Sequence, residues 1–286
     1  MQKQSFLRTL PLLLGLLMSV TISSPAQAQA KIETRNYKLA DFNGKTIKVV
    51  LSGNDIFDEA LKAEVGSRWN LSPFEFCTMD SFKQLKASKD FYFMVPVTTA
   101  SKDGRATVYF LSVVKGGTGK ELSDMLEVAS FPICPAEALG GRELVYMGAL
   151  VESLQDYVTK GSGGSTAVMM RNAYGRSVNR STGTKRIVFS EDDICPIVDR
   201  NLFDSDMMVM DEEEADRMYS EGSYNLLGSY VIAPMDAQKG DWCTCILFGA
   251  DDQKIYYMAS HKVGGKNGAG FTMKDIKKIT KSRKLK

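Results

Sequence analysis

One passage of this chain returns at a fixed distance. Val49-Val50-Leu51-Ser52-Gly53-Asn54-Asp55-Ile56 comes back as Ile187-Val188-Phe189-Ser190-Glu191-Asp192-Asp193-Ile194, and Tyr92-Phe93-Met94-Val95-Pro96 comes back as Tyr230-Val231-Ile232-Ala233-Pro234. Both pairs stand 138 residues apart (187 − 49 and 230 − 92). Such an internal repeat constrains architecture before any single motif does, because like segments must find like places in the fold.

The local patterns around these anchors predict the elements. In the first copy, Thr46–Leu51 is apolar and β-branched and predicts a strand. Ser52-Gly53-Asn54-Asp55 offers helix-capping oxygens before a helix carrying Ile56, Ala60 and Ala63. A strand at Pro73–Thr78, a short helix capped by Asp80, and strands at Asp90–Thr98 and Ala106–Val114 follow. Gly116-Gly117-Thr118-Gly119 then leads into a predicted helix through Leu122, Met125 and Leu126. The second copy predicts a strand at Lys185–Ser190, a helix at Ile194–Leu202 with Pro196 in its first turn, and a strand at Met207–Met210. A helix opened by Asp211-Glu212-Glu213-Glu214 follows, its acids complementing the positive helix end. Strands at Leu226–Met235, Trp242–Ala250 and Lys254–Lys262 and a helix at Thr272–Thr280 complete it. Met210-Asp211 answers Met79-Asp80 at an offset of 131 (210 − 79), so helix lengths drift while strands hold place.

Between the copies, Leu144, Met147, Val151, Leu154 and Val158 form one apolar stripe and predict a connecting helix over Gly141–Lys160. Gly161–Thr184 is rich in Gly and Ser, carries Arg171, Arg176 and Arg180, and holds no acid. The fold class expected is α/β (α+β mixed): two internally repeated βαβαββα units with mixed sheets, plus the connecting helix. The boundaries expected are a signal peptide at 1–30, a first unit at 31–160, a loop at 161–184 and a second unit at 185–286 with a basic C-terminal tail.

The N-terminus predicts export. Lys3 and Arg8 precede the apolar run Leu10–Val20, and Ala26-Gln27-Ala28 and Ala28-Gln29-Ala30 are small-x-small cleavage sites. The run is shorter than the ~20 residues a membrane span needs. Removing two basic and no acidic residues takes the net charge from +2 (36 − 34) to zero (34 − 34), which gives no global field for nucleic acid or an anionic membrane. Charge is segregated locally. Glu191–Asp216 holds eleven acids and one base, and Lys262–Lys286 holds nine bases and one acid, a pattern of solvated faces or of one segment folded on another.

Five cysteines (Cys77, Cys134, Cys195, Cys243, Cys245) leave at least one thiol unpaired within the chain. Cys243 and Cys245 alternate on a strand and share a face. His261 is the only histidine. No G-x-S-x-G elbow or recognisable catalytic cysteine frame is present, and the cysteines are too scattered along the chain for a zinc-ligand spacing. Gly116–Lys120 lacks the P-loop spacing. Asp204, Asp206 and Asp211 match a calcium loop in composition only.

The remaining candidates are the two strand-to-helix corners, Ser52, Asn54 and Asp55 in one and Ser190, Asp192 and Asp193 in the other. Backbone N–H groups at such corners can hold an anion, although ordinary capping explains the same residue types. With Arg171 and Arg176 of the connecting loop they form the candidate binding set. The residues predict no cofactor, no metal site and no nucleic-acid partner. The expectation is an exported, periplasmic or cell-surface protein that binds a protein or small-molecule envelope ligand without catalysis, with no integral span in the mature chain. The alternative is a hydrolase using carboxylates such as Asp55 or Asp193 for acid–base work.

Overall fold

The computed structural model describes residues 31–32, 40–101, 103–117, 121–162, 178–180, 182–265 and 267–283. In chain order the elements are β1 (Lys31–Ile32), β2 (Thr46–Val50), α1 (Asp55–Arg68), β3 (Phe74–Cys77), α2 (Met79–Leu85), β4 (Phe91–Ala100), β5 (Ala106–Lys115), β6 (Leu126–Pro135) and α3 (Glu143–Ser162). They continue as β7 (Val178–Asn179), β8 (Arg186–Ser190), β9 (Met207–Met210), α4 (Glu212–Ser220), β10 (Leu226–Ile232), β11 (Trp242–Gly249), β12 (Ile255–Lys262) and α5 (Met273–Arg283).

Among the described residues the strands form two six-stranded mixed sheets, ordered β1-β6-β5-β4-β2-β3 and β7-β12-β11-β10-β8-β9. In the first, β3, β2 and β4 run parallel while β4, β5 and β6 run antiparallel. In the second, β9, β8 and β10 run parallel while β10, β11 and β12 run antiparallel. Val49 in β2 and Ile187 in β8 therefore stand at the same place in their sheets, as do Tyr92 in β4 and Tyr230 in β10. Only the outermost pairings differ, β1 lying parallel to β6 and β7 antiparallel to β12.

Side-chain alternation along the strands assigns each sheet two buried faces. Phe93 and Val95 pack with Phe82 of α2, and Leu227 and Leu247 pack with Ile276 and Ile279 of α5. The opposite faces share one core: Ile47, Val49 and Met94 of the first sheet and Val188, Ile246 and Phe248 of the second join residues of α1, α3 and α4. In α3 the expected stripe is buried at Met147, Val151, Leu154 and Val158, with Leu144 partly covered. Tyr146, Ala149, Leu150 and Tyr157 are buried too. A helix apolar on more than one face is what burial between two layers demands. Tyr230 ties the halves directly, its hydroxyl donating to the Ile133 carbonyl at 2.7 Å. Tyr230→Phe is expected to cost about 1 kcal/mol, read as a lower urea midpoint at unchanged slope.

Three expected elements are corrected. The helix through Leu122, Met125 and Leu126 is instead a 3-10 turn at Leu122–Asp124 followed by the ten-residue strand β6. Leu126 to Ala129 are all buried, and pairing with β5 overrides the helical spacing. Among the described residues β1 pairs with β6 only at Leu126 and Glu127, which leaves no described partner on the far edge at Pro132. The first unit thus carries a third antiparallel strand rather than a closing helix before α3. The helix at Ile194–Leu202 is absent; only 3-10 turns at Glu191–Asp193 and Arg200–Leu202 form. Finally, α2 is capped by Thr78, which accepts from the Ser81 N–H at 3.2 Å, and Asp80 sits in its first turn.

The opposed charge runs meet, in part, inside the fold. Arg283 of α5 binds Asp204 at 2.8 Å and Asp206 at 2.7 Å, and donates to the Lys185 carbonyl at 2.6 Å. Asp204 and Asp206 are thus engaged by a guanidinium, and Asp211 caps α4 by accepting from Glu214 N–H at 2.9 Å. No helix among the described residues is long and apolar enough to cross a membrane.

Candidate functional site

The first corner closes on itself. Asn54 caps α1, its Oδ1 accepting from Phe57 N–H at 3.1 Å, and its Nδ2 donates to the Leu139 carbonyl at 3.1 Å. The Ser52 and Gly53 N–H groups, which an anion would use, both donate to the buried carboxylate of Asp58, at 2.8 and 2.9 Å. The Ser52 hydroxyl donates there as well, at 2.8 Å. Asp55 is exposed and stands at the helix start.

The second corner is built differently, because no helix follows it. Asp192 is exposed, whereas Ser190 and Asp193 are buried. Ser190 N–H donates to Ser229 Oγ at 3.0 Å, and that hydroxyl donates to Asp193 Oδ2 at 2.5 Å. The other Asp193 oxygen accepts from Arg142 Nη1 at 2.7 Å. Arg142 enters from the segment leading into α3 and spends the rest of its guanidinium on Asp216 of α4. Nε donates to both Asp216 oxygens at 3.0 and 2.9 Å, and Nη2 donates to Asp216 Oδ1 at 2.9 Å and the Ser229 carbonyl at 3.1 Å. The Tyr146 hydroxyl adds donation to the Ser229 carbonyl at 2.9 Å, and its ring stacks on Tyr219 and Tyr230 with centroids 4.3 and 4.6 Å away.

Burial pushes the Asp193 carboxyl above the usual carboxylate range, against the pull of Arg142 and Ser229. Burial opposes the charge on Arg142 too, but the two aspartates beside it hold it protonated. A buried charge set of this kind persists only when each member is hydrogen-bonded. Asp193 and Asp216 therefore converge on a guanidinium. Neither of the two cavities described below is lined by Asp55, Asp193 or Asp216. Arg171 and Arg176 lie outside the described residues. The candidate set is thus brought together only in part: Ser190 and Asp193 share one cluster, and Ser52 and Asn54 another. Arg142, Asp216 and Ser229 were not foreseen; they lie 36 to 87 residues from the groups they bind, a pairing no local pattern announces.

The larger cavity, about 490 Å³, opens between the β4–β5 and β10–β11 connections, one from each half. Ser101, Arg105, Lys239, Asp241, Trp242 and Lys262 are among its walls. Arg105 donates through Nη2 to Asp241 at 2.6 Å, while its Nε and Nη1, shielded from solvent, have no hydrogen-bond partner among the described residues. Trp242 is 37% exposed, with Lys262 Nζ 5.5 Å from its ring centroid. A smaller cavity of about 260 Å³ lies beside the C-terminal part of α3, walled by mixed charges including Glu152, Asp156, Lys160 and Arg180.

A third grouping brings two of the cysteines beside the lone histidine. All five are free thiols. Antiparallel pairing of β11 with β12 sets Cys243 opposite His261, and Cys245 follows on the same face. The two sulfurs are 3.9 Å apart, and both lie within 4.8 Å of a His261 ring nitrogen. The C-x-C spacing was legible; the histidine needed the strand register.

The chain matches no protein-family model, no curated protein and no solved structure.

Proposed function

We propose that this chain is an exported, non-enzymatic binding module of the periplasm or cell surface that takes a small anionic ligand with a flat face in the 490 Å³ cleft between its halves. The observation that carries the reading is the chemistry of the cleft walls, where Arg105, Lys239 and Lys262 stand beside Trp242. The charged walls are three cations (Arg105, Lys239, Lys262) against two carboxylates (Asp103, Asp241), one of which Arg105 already holds. Trp242 supplies an aromatic surface beside them, and the volume suits a small molecule. The hydrolase reading draws on Asp193 beside Asp216, but both face Arg142 and neither reaches a described cavity.

Intrinsic fluorescence tests the reading, because the chain has two tryptophans and Trp69 is buried. Titration of the full chain with trigalacturonate, a linear sugar acid, should give a saturable change that Trp242→Phe removes. Lys239→Ala with Lys262→Ala should weaken binding roughly tenfold or more, in line with about 1.4 kcal/mol or more for the lost cations. Saturation unaffected by these changes, or turnover of a glycoside or ester abolished by Asp193→Asn, would contradict it.

A further inference from the structure

The geometry points to a divalent, thiophilic cation site of the zinc class at Cys243, Cys245 and His261. The ligand set is two thiols and one imidazole on adjacent strands, with donor atoms within 4.8 Å of one another. A tetrahedral zinc ion with bonds of about 2.3 Å to sulfur sets two thiolates about 3.8 Å apart; the sulfurs here are 3.9 Å apart. That separation is far from the roughly 2.05 Å of a disulfide. Cysteines two apart on an extended strand also have Cα atoms about 6.6 Å apart, at the outer limit for bridging. The pair is thus spaced for a shared cation rather than for a bond to each other.

The surroundings add two independent features. His261 Nε2 lies 2.9 Å from the Gly268 carbonyl. A carbonyl only accepts, so Nε2 carries a proton, and in the neutral ring Nδ1 is the nitrogen left to ligate. Metal-binding histidines hold their tautomer in this way, through a backbone or carboxylate acceptor on the far nitrogen. The Gly270 N–H donates to Cys243 Sγ at 3.2 Å. Gly270 adopts φ +103°, which turns its N–H inward.

Charge decides the class of ion. Cys243 and Cys245 are fully buried and His261 is half-buried. Binding replaces the two S–H bonds with two metal–sulfur bonds and releases both protons to solvent. Two thiolates and a neutral imidazole around a divalent ion sum to zero, whereas a monovalent ion would leave a buried negative charge. Three protein ligands leave one tetrahedral position open.

Cobalt(II) is the probe, added to the reduced, chelator-treated full-length chain. One equivalent should bind and give strong sulfur-to-cobalt charge-transfer absorption that zinc displaces, and zinc should raise the thermal midpoint. Cys243→Ser and Cys245→Ser should each abolish the band, and Cys77→Ser, at a partly exposed thiol elsewhere, should leave it intact. His261→Gln keeps a donor for the Gly268 carbonyl; it should leave the metal-free thermal midpoint in place while weakening cobalt at least tenfold, which separates lost ligation from lost folding. No charge-transfer band with no zinc-dependent midpoint shift would overturn the assignment. So would a band that survives Cys243→Ser combined with Cys245→Ser or is unmoved by His261→Gln, and so would uptake of copper(I) without uptake of cobalt or zinc.

Discussion

Replacing Arg142 with methionine is expected to destabilise the fold by about 3 kcal/mol or more, because it strands the buried carboxylate of Asp193 and the partly buried one of Asp216, which share one guanidinium. For a domain of this size that is a fall of roughly 10 °C or more in thermal midpoint. Asp193 would stay buried, Asp216 would stay partly buried, and both would lose their cation. Adding Asp193→Asn and Asp216→Asn to the same variant should recover part of the loss, since uncharged amides no longer need the guanidinium. The pH dependence has a definite sign. Burial already raises the Asp193 carboxyl, and a group whose folded value lies above its unfolded one stabilises the fold when protonated and loses that contribution as pH rises through the folded value. Removing Arg142 raises it further. The deficit of Arg142→Met, measured by urea denaturation, should therefore shrink on acidification toward the unfolded value of 3.8. A loss below ~1 kcal/mol at neutral pH, or one independent of pH, would show that the carboxylates reach solvent.

The second large effect is expected at Gly270→Ala, on the order of 3 kcal/mol. Gly270 has φ +103°, a region L residues rarely adopt, and a methyl there would stand 2.6 Å from the Asp193 carbonyl oxygen and 3.0 Å from the Cys195 nitrogen. Those are backbone atoms. They are fixed by Phe271 N–H donating to the Asp193 carbonyl at 2.7 Å and Cys195 N–H donating to the Phe271 carbonyl at 3.1 Å, so a rotamer change cannot relieve the clash. The same substitution moves the N–H that Cys243 accepts from. Thermal denaturation and cobalt binding should fall together; a stable Gly270→Ala chain would mean the 268–271 segment yields easily.

The strands were legible because the residues that mark them are buried and β-branched or aromatic in both halves. Val49 and Ile187 occupy equivalent strands, as do Tyr92 and Tyr230. The misread segments share a cause. Leu122, Met125 and Leu126 have helical spacing, yet Leu126 onward pairs with β5, a partner invisible to local pattern. Ile194–Leu202 has a plausible capped start, yet its backbone pairs with the distant segment around Phe271, with Ile194 bridging Phe271. The candidate sites divide the same way. Asn54 as a cap was readable from residue type alone. The role of Asp193 was not, because its meaning depends on Arg142, which arrives from the other half. His261 looked isolated until β12 was laid against β11. The relation of the two halves as copies of one ancestral unit is a proposal that the shared strand order supports.

Hydrogen–deuterium exchange of the full chain, with and without saturating trigalacturonate, tests the central claim most directly, that buried charges weld the halves while ligand is taken at the cleft. Added protection is expected at residues 100–107 and 238–242 and around Lys262, with exchange at 52–55 and 190–193 unchanged. Protection concentrated at those two corners instead would contradict the account and return Ser52, Asn54, Ser190 and Asp193 to the binding surface.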